Sequence, residues 1–127
     1  MMDKIYQAFL SDPLIKEKVG KKIKFYEYPA AEDGKSGPFI IIDPLDASLP
    51  SAYADNEWLK NDYMYQIEVW SSSKVDTDAV ADRVQMIMWK ELGFSNYGGG
   101  MDEWDRDYNI YRVARRYRGQ VYKDSII

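Results

Sequence analysis

The chain contains neither cysteine nor histidine among its 127 residues. The absence of cysteine excludes disulfides, thiolate nucleophiles and thiolate-ligated metal sites, and it fits a reducing cytosol. The absence of histidine removes the commonest general base near neutral pH and excludes any histidine-ligated zinc site. Together the two absences exclude most hydrolase and metalloenzyme designs.

Long apolar runs are missing as well. No run approaches the ~20 residues that a membrane-spanning helix needs. The N-terminal sequence "MMDKIYQAFLSDPLIKEK" alternates charged with apolar residues, whereas a signal peptide would carry a hydrophobic block. The sequence therefore predicts a cytosolic protein without membrane contact.

What is present is the composition of an ordinary folded domain. With 46% hydrophobic and 15% aromatic residues, the chain can bury one core and is too aromatic for a disordered segment. We therefore expect residues 1–127 to form a single domain. The eleven tyrosines suit either a small core or an interface, because tyrosine combines a large apolar ring with a polar tip.

The net charge of −4 is distributed unevenly. Residues 1–28 and 108–127 carry an excess of basic side chains, whereas residues 29–107 are strongly acidic. This segregation can help copies of the protein meet head to tail. Alternatively, the charges are solvated and cancel one another after folding.

Hydrophobic periodicity divides the chain into helices and strands. Val80, Val84, Ile87 and Leu92 repeat at helical spacing and predict a helix at about 75–92. The other predicted elements are a helix at 1–10, a short helix after Pro13 that ends at Gly20, and strands at 22–28, 38–45, within 61–73, at about 94–101 and at about 108–118. Short connections favour antiparallel pairing. The prediction is an α+β domain: a mostly antiparallel sheet of about 4–5 strands, with the 75–92 helix packed on one face and an N-terminal helix.

The stretch "NDYMYQIEVWSSS", residues 61–73, has two unlike faces. Its odd positions from 63 to 69 are apolar and are expected to face the 75–92 helix. Its even positions from 64 to 70 are mixed, and the chain offers no obvious second layer to cover them. Met86 and Trp89 are expected to widen the apolar face of the helix toward the sheet.

The segment 46–62, "DASLPSAYADNEWLKND", shows no steady period. At about sixteen residues it is long for a connection inside a compact domain. We interpret it as an excursion from the sheet that contacts a partner. The alternative is a surface loop anchored by Trp58.

Two other stretches could carry chemistry. The predicted loop 102–107 contains Asp102, Glu103, Asp105 and Asp107, and clustered carboxylates can bind calcium or magnesium, but the EF-hand spacing is absent. An acidic turn between strands is the alternative. The run "GGG" at 98–100 is not followed by the residues of a phosphate-binding loop and indicates a β-bulge, a bend or a close backbone approach.

The last predicted strand carries a basic cluster. Arg112, Arg116 and Arg118 share one face with alternating spacing, and Arg115 lies on the other. An isoelectric point near 4.8 argues against sequence-specific nucleic-acid binding. Pairing with Glu68 across strands, or with acids of a neighbouring copy, is the better interpretation. No enzymatic signature, metal site or cofactor site emerges.

The order of elements resembles a known family. The phrases "KIKFYEYP", "PFIIIDPLD", "YQIEVWSSSKVDTDAVADRVQMIMWKELGF" and "YRVARRYRG" follow one another as in small tail-completion proteins of long-tailed bacteriophages, the tail terminator and head–tail joining group. The resemblance implies a non-enzymatic ring, commonly hexameric, that ends the tail tube and docks to the head connector. It implies a virion protein, assembled in the host cytoplasm, through which DNA passes without being read.

A ring needs two different contact patches on each copy. Other interpretations stay open: a head-closure or minor capsid protein, a small metal-dependent enzyme using Asp102, Asp105 and Asp107, or a module that binds a ligand beside Met64 and Trp70. The candidate interface residues are Asp46, Asp55, Glu57, Trp58, Tyr65, Trp70, Arg112, Arg115, Arg116 and Arg118.

Overall fold

The computed structural model describes residues 1–26, 37–45, 49–54 and 57–122, with the backbone alone at 49–54, 57–58, 99 and 122. This part of the chain forms an α+β fold with three helices and one six-stranded, mostly antiparallel sheet. The elements are α1 (Met2–Ser11), α2 (Pro13–Lys18), β1 (Ile23–Phe25), β2 (Phe39–Pro44), β3 (Leu49–Ala54), β4 (Glu57–Ser71), α3 (Lys74–Lys90), β5 (Ser95–Asp105) and β6 (Ile110–Tyr122).

Asp12 separates the first two helices. Its carboxylate accepts hydrogen bonds from the backbone N–H groups of Leu14 and Ile15, both at 3.1 Å, and so caps α2. Pro13 follows at the first helical position, where no N–H donor is needed. The predicted helix, break and second helix are confirmed, and no described helix is both long and apolar enough to cross a membrane.

The strands lie in the order β1-β2-β4-β6-β5, and β3 pairs with the first part of β4. The pair β1–β2 is parallel, and the other neighbours are antiparallel. The expectation that residues 46–62 leave the sheet was therefore wrong for most of the segment, whereas its contact with a partner stays a prediction. Residues 49–54 and 57–62 pair as two strands, in register from Leu49 with Asp62 to Ala54 with Glu57.

Helix α3 covers one face of the sheet. Ser73 caps its N-terminus by accepting the N–H of Asp76 at 3.2 Å. Its predicted stripe is confirmed, since Val80, Val84 and Ile87 are buried together with residues 65, 67 and 69 of β4. The expectation for Met86 and Trp89 was wrong, because 42% and 62% of these residues remain exposed.

The β5–β6 ladder confirms the glycine bulge and corrects the acidic loop. The register shifts between Asn96 and Gly98 and again between Gly98 and Met101. Strand β5 continues to Asp105, so that residues 102–105 belong to a strand and the turn occupies 106–109.

The second face of the sheet is less open than the sequence suggested. Phe39, Ile41, Glu68 and Ala114 lie on this face by register and are all buried. Exposed residues of this face lie farther along β6, at Arg116 and Arg118, and on β5, at Met101 and Glu103. The expectation of an uncovered flank is thus wrong for its centre.

Candidate interaction surfaces

A buried carboxylate organises the second sheet face. Glu68 is 0% exposed, and it accepts hydrogen bonds from Gln66 Nε2 at 2.9 Å, from Trp70 Nε1 at 3.2 Å and from Arg112 Nε. Glu68, Gln66 and Trp70 meet because alternate residues of β4 share a face. The small side chain of Ala114 lies opposite Glu68 in the register, which leaves room for Arg112 to reach the carboxylate diagonally.

The same network extends outward from Arg112. Its guanidinium lies 5.2 Å from the centre of the Trp70 ring and donates to Glu103 on β5 at 3.4 Å. Beside it, Arg116 Nε donates to Gln66 Oε1 at 3.2 Å. The predicted pairing of the basic strand with Glu68 is therefore present. Within this chain, Arg112 and Trp70 both contact the buried Glu68 carboxylate and donate hydrogen bonds to it.

The predicted basic cluster divides between the two faces. Arg115 lies on the helix-covered side and pairs with Asp102 at 2.6 Å, and this hydrogen bond raises the pKa of the guanidinium. Arg116 and Arg118 are exposed on the second face, with Arg118 at 3.8 Å from Asp62. These two arginines are the members of the cluster that a partner can reach most directly.

The remaining predicted interface residues lie elsewhere. Tyr65 is buried in the core, with its ring 6.0 Å from that of Phe94. Asp46 and Asp55 lie outside the described residues. Glu57 and Trp58 begin β4, where the backbone alone is described.

The acidic residues of β5 point in different directions. Asp102 pairs with Arg115 and Glu103 with Arg112, on opposite faces of the sheet. Asp105 Oδ1 accepts the backbone N–H of Asp107 at 3.0 Å and so stabilises the turn. Within the described ranges, no group of three or more acidic residues is placed to hold a metal ion.

A cavity of 350 Å³ lies beside Trp70 at the turn end of β5 and β6. Met64, the other residue predicted to border a ligand site, does not line it. The lining residues are Trp70, Glu103, Trp104, Asp105, Ile110 and Arg112.

Sequence reasoning missed a larger groove on the helix side. It has a volume of 560 Å³ and runs between the outer flank of α3 and the start of β5. We call it the α3–β5 groove, and its lining residues are Asp82, Gln85, Met86, Trp89, Ser95 and Asn96. The available signal was the position of Met86 and Trp89 at the margin of the helical stripe.

The Tyr117 hydroxyl is a buried polar group without a hydrogen-bond partner in the described structure. An unpaired buried hydroxyl is destabilising by about 1–3 kcal/mol. We therefore expect Tyr117→Phe to raise the free energy of unfolding by about 1 kcal/mol in urea titrations at pH 7. The exposed Tyr108 provides a control, since Tyr108→Phe should change stability by less than about 0.5 kcal/mol.

The same burial predicts a pH dependence. Burial raises the pKa of Tyr117 from 10.0 to about 12, and burial also raises the pKa of Tyr65. The folded state favours the protonated phenol of Tyr117. Its contribution to the free energy of unfolding is therefore fully present below pH 10 and is lost as the pH rises toward 12. Tyr117→Phe should reduce the fall in the free energy of unfolding between pH 10 and pH 12. An unchanged fall would contradict the attribution of this pH dependence to Tyr117.

No family model matches the sequence, and no curated protein matches it. Among solved structures, the fold is similar to a chain in the structure described as "Virion of native gene transfer agent (GTA) particle", with a TM-score of 0.67 and 13% identity. The match covers 93% of this chain and 91% of that chain. At this identity, the likeness shows a shared fold over nearly the full length of both chains.

Proposed function

We propose that the protein is a non-enzymatic structural component of a phage-like virion. The observation that carries the proposal is the full-length likeness to a chain of a gene transfer agent virion, at a TM-score of 0.67. The resemblance of the sequence to tail-completion proteins points independently in the same direction. Of the predicted candidates for chemistry, Asp102 and Glu103 form ion pairs with arginines, and Asp105 accepts a hydrogen bond in the turn.

Within the virion, we propose a ring at the head-proximal end of the tail. The ring, hexameric by resemblance, ends the tail tube and joins it to the head connector while DNA passes through unread. The exposed Arg116 and Arg118 support contacts with neighbouring virion proteins, as do the acidic residues Asp46 and Asp55 of the sequence. Head closure is the alternative role within the same assembly.

The test is electron microscopy of particles assembled without this protein. We expect filled heads that lack tails, together with tails of uncontrolled length, and expression of the intact chain in the same cells should restore joined particles. Joined particles with tails of normal length in its absence would contradict the proposal. Tails of normal length that fail to join heads would favour the head-closure role.

A further inference from the structure

The helix layer covers the sheet unevenly. On one flank, two ion pairs connect α3 with the α2 region. Lys18 of α2 lies 3.4 Å from Asp76, and Asp12, the residue before α2, lies 2.7 Å from Arg83. On its other flank lies the α3–β5 groove. Among the described strands, β5 is the edge strand on that side, and β1 is the edge strand at the far side of the same sheet.

The groove side exposes large apolar side chains. Trp89 and Met86, which line the groove, are 62% and 42% exposed. Tyr97, the residue after the lining residue Asn96 on β5, is also 42% exposed. Concentrated apolar exposure of this kind marks interaction surfaces in soluble proteins. Tryptophan and tyrosine are also the residue types that dominate binding energy at interfaces.

The two sides of the molecule carry opposite charge. The segment from α3 to the β5–β6 turn, residues 74–109, has eight acidic and four basic side chains. Residues 1–26, which form α1, α2 and β1, have six lysines and three acidic side chains. At the outer strand of that side, Lys21, Lys24 and Tyr26 are exposed, and we call these three residues the basic β1 edge.

We propose that the α3–β5 groove of one copy receives the basic β1 edge of the next copy. The inference rests on the proposed ring and identifies the contact that would build it. A ring requires two different, complementary patches that do not overlap, and these two lie at opposite edges of one sheet. A symmetric contact of groove with groove would instead bring like charges together.

The chain lacks cysteine, so introduced thiols report the contact without background. In the double variant Gln85→Cys/Lys24→Cys, each copy carries one thiol beside the groove and one on the basic β1 edge, both at exposed positions. After mild oxidation of purified particles, we expect a non-reducing gel to show a ladder of linked chains. Each single variant should give no ladder beyond a dimer.

A matched control keeps the thiol at residue 24 and moves the other thiol from the groove to a position outside the proposed contact. The pair Lys24→Cys/Gln120→Cys places that thiol at an exposed position of β6 on the second face. Like the single variants, this pair should give no ladder beyond a dimer. A ladder from the control pair but not from the groove pair would overturn the proposed contact while leaving the ring intact. Links from the groove to a different virion protein would overturn it as well.

A charge exchange tests the same contact energetically. Asp82→Lys should lower the amount of protein incorporated into particles about tenfold, and adding Lys24→Glu in the same chain should restore most of it. If the double variant incorporates no better than Asp82→Lys, the pairing is wrong. If particles that lack the protein are normal, the proposed function is wrong. If all variants fold normally but Lys24→Glu does not restore the incorporation of the Asp82→Lys chain, only the proposed contact is wrong.

Discussion

Replacement of Arg112 by alanine is expected to lower the free energy of unfolding by about 3 kcal/mol, because it removes the partly exposed partner of a fully buried carboxylate. The carboxylate of Glu68 is fully buried and accepts a hydrogen bond from Arg112 Nε. Without the guanidinium, that charge remains buried but loses its ion pair with Arg112. Urea unfolding at pH 7, followed by tryptophan fluorescence, measures the loss.

Arg116→Ala is the matched control for this prediction. Arg116 lies on the same face of β6, but it is exposed and donates to the amide oxygen of Gln66 instead of a buried carboxylate. Its replacement should change stability by less than about 0.5 kcal/mol. Equal losses for Arg112→Ala and Arg116→Ala would mean that arginine side chains stabilise the second face by packing, and that the ion pair between Arg112 and Glu68 adds nothing further.

The double replacement Glu68→Met/Arg112→Leu separates charge from packing. Apolar residues of similar size remove both members of the pair, and such exchanges are often neutral or stabilising. We therefore expect the double variant to recover most of the stability that Arg112→Ala loses. A double variant as unstable as Arg112→Ala would show that the Glu68 network, including its hydrogen bonds from Gln66 and Trp70, contributes net stability.

The sequence predicted the structure best where periodically spaced apolar residues face the core. Residues 63–69 alternate and residues 80–88 repeat at helical spacing because both sets face the same buried layer between α3 and the sheet. The pairing of Arg112 with Glu68 across strands was also predicted, and the strand register places both on the second face. Arg115 was likewise assigned to the opposite side.

The β3–β4 hairpin was missed because its residues show no steady alternation. Strand pairing satisfies backbone groups whatever the side chains are, so a hairpin extending beyond the helix-covered core need not alternate. Pro50 also lies in β3, and proline is tolerated there because the described pairing of β3 is with β4 alone, as in an edge strand. The type and order of elements were therefore predictable, but the strand number was not.

The α3–β5 groove could not be read from periodicity either. Met86 and Trp89 lie at the margin of the apolar stripe of α3, where burial depends on what packs beside the helix. Helices α1 and α2 occupy the opposite flank, so these two side chains remain exposed. That arrangement is a property of tertiary packing, and the marginal position of Met86 and Trp89 in the sequence does not decide between burial and exposure.

The bulge on β5 gives the second large expected effect, and it depends on Gly100. This residue has φ +80, a conformation that costs other residues about 1–2 kcal/mol. A Cβ built there would lie 2.7 Å from the carbonyl carbon of Ala114 and closer still to its oxygen. Because backbone atoms of β6 cannot move aside without breaking the ladder, Gly100→Ala should lower the free energy of unfolding by about 3 kcal/mol or more.

Gly98→Ala separates the steric effect from the conformational one. Gly98 lies in the same bulge with φ +98, but a Cβ there would meet nothing within 4 Å. Its replacement should therefore cost only the conformational part, about 1–2 kcal/mol. Thermal and urea unfolding of both variants provide the comparison, and equal losses would mean that the close approach of β5 to Ala114 is not a constraint. A larger loss for Gly100→Ala would establish that this glycine is required for the two strands to pair through the bulge, which in turn positions Asp102 opposite Val113 and beside Arg115.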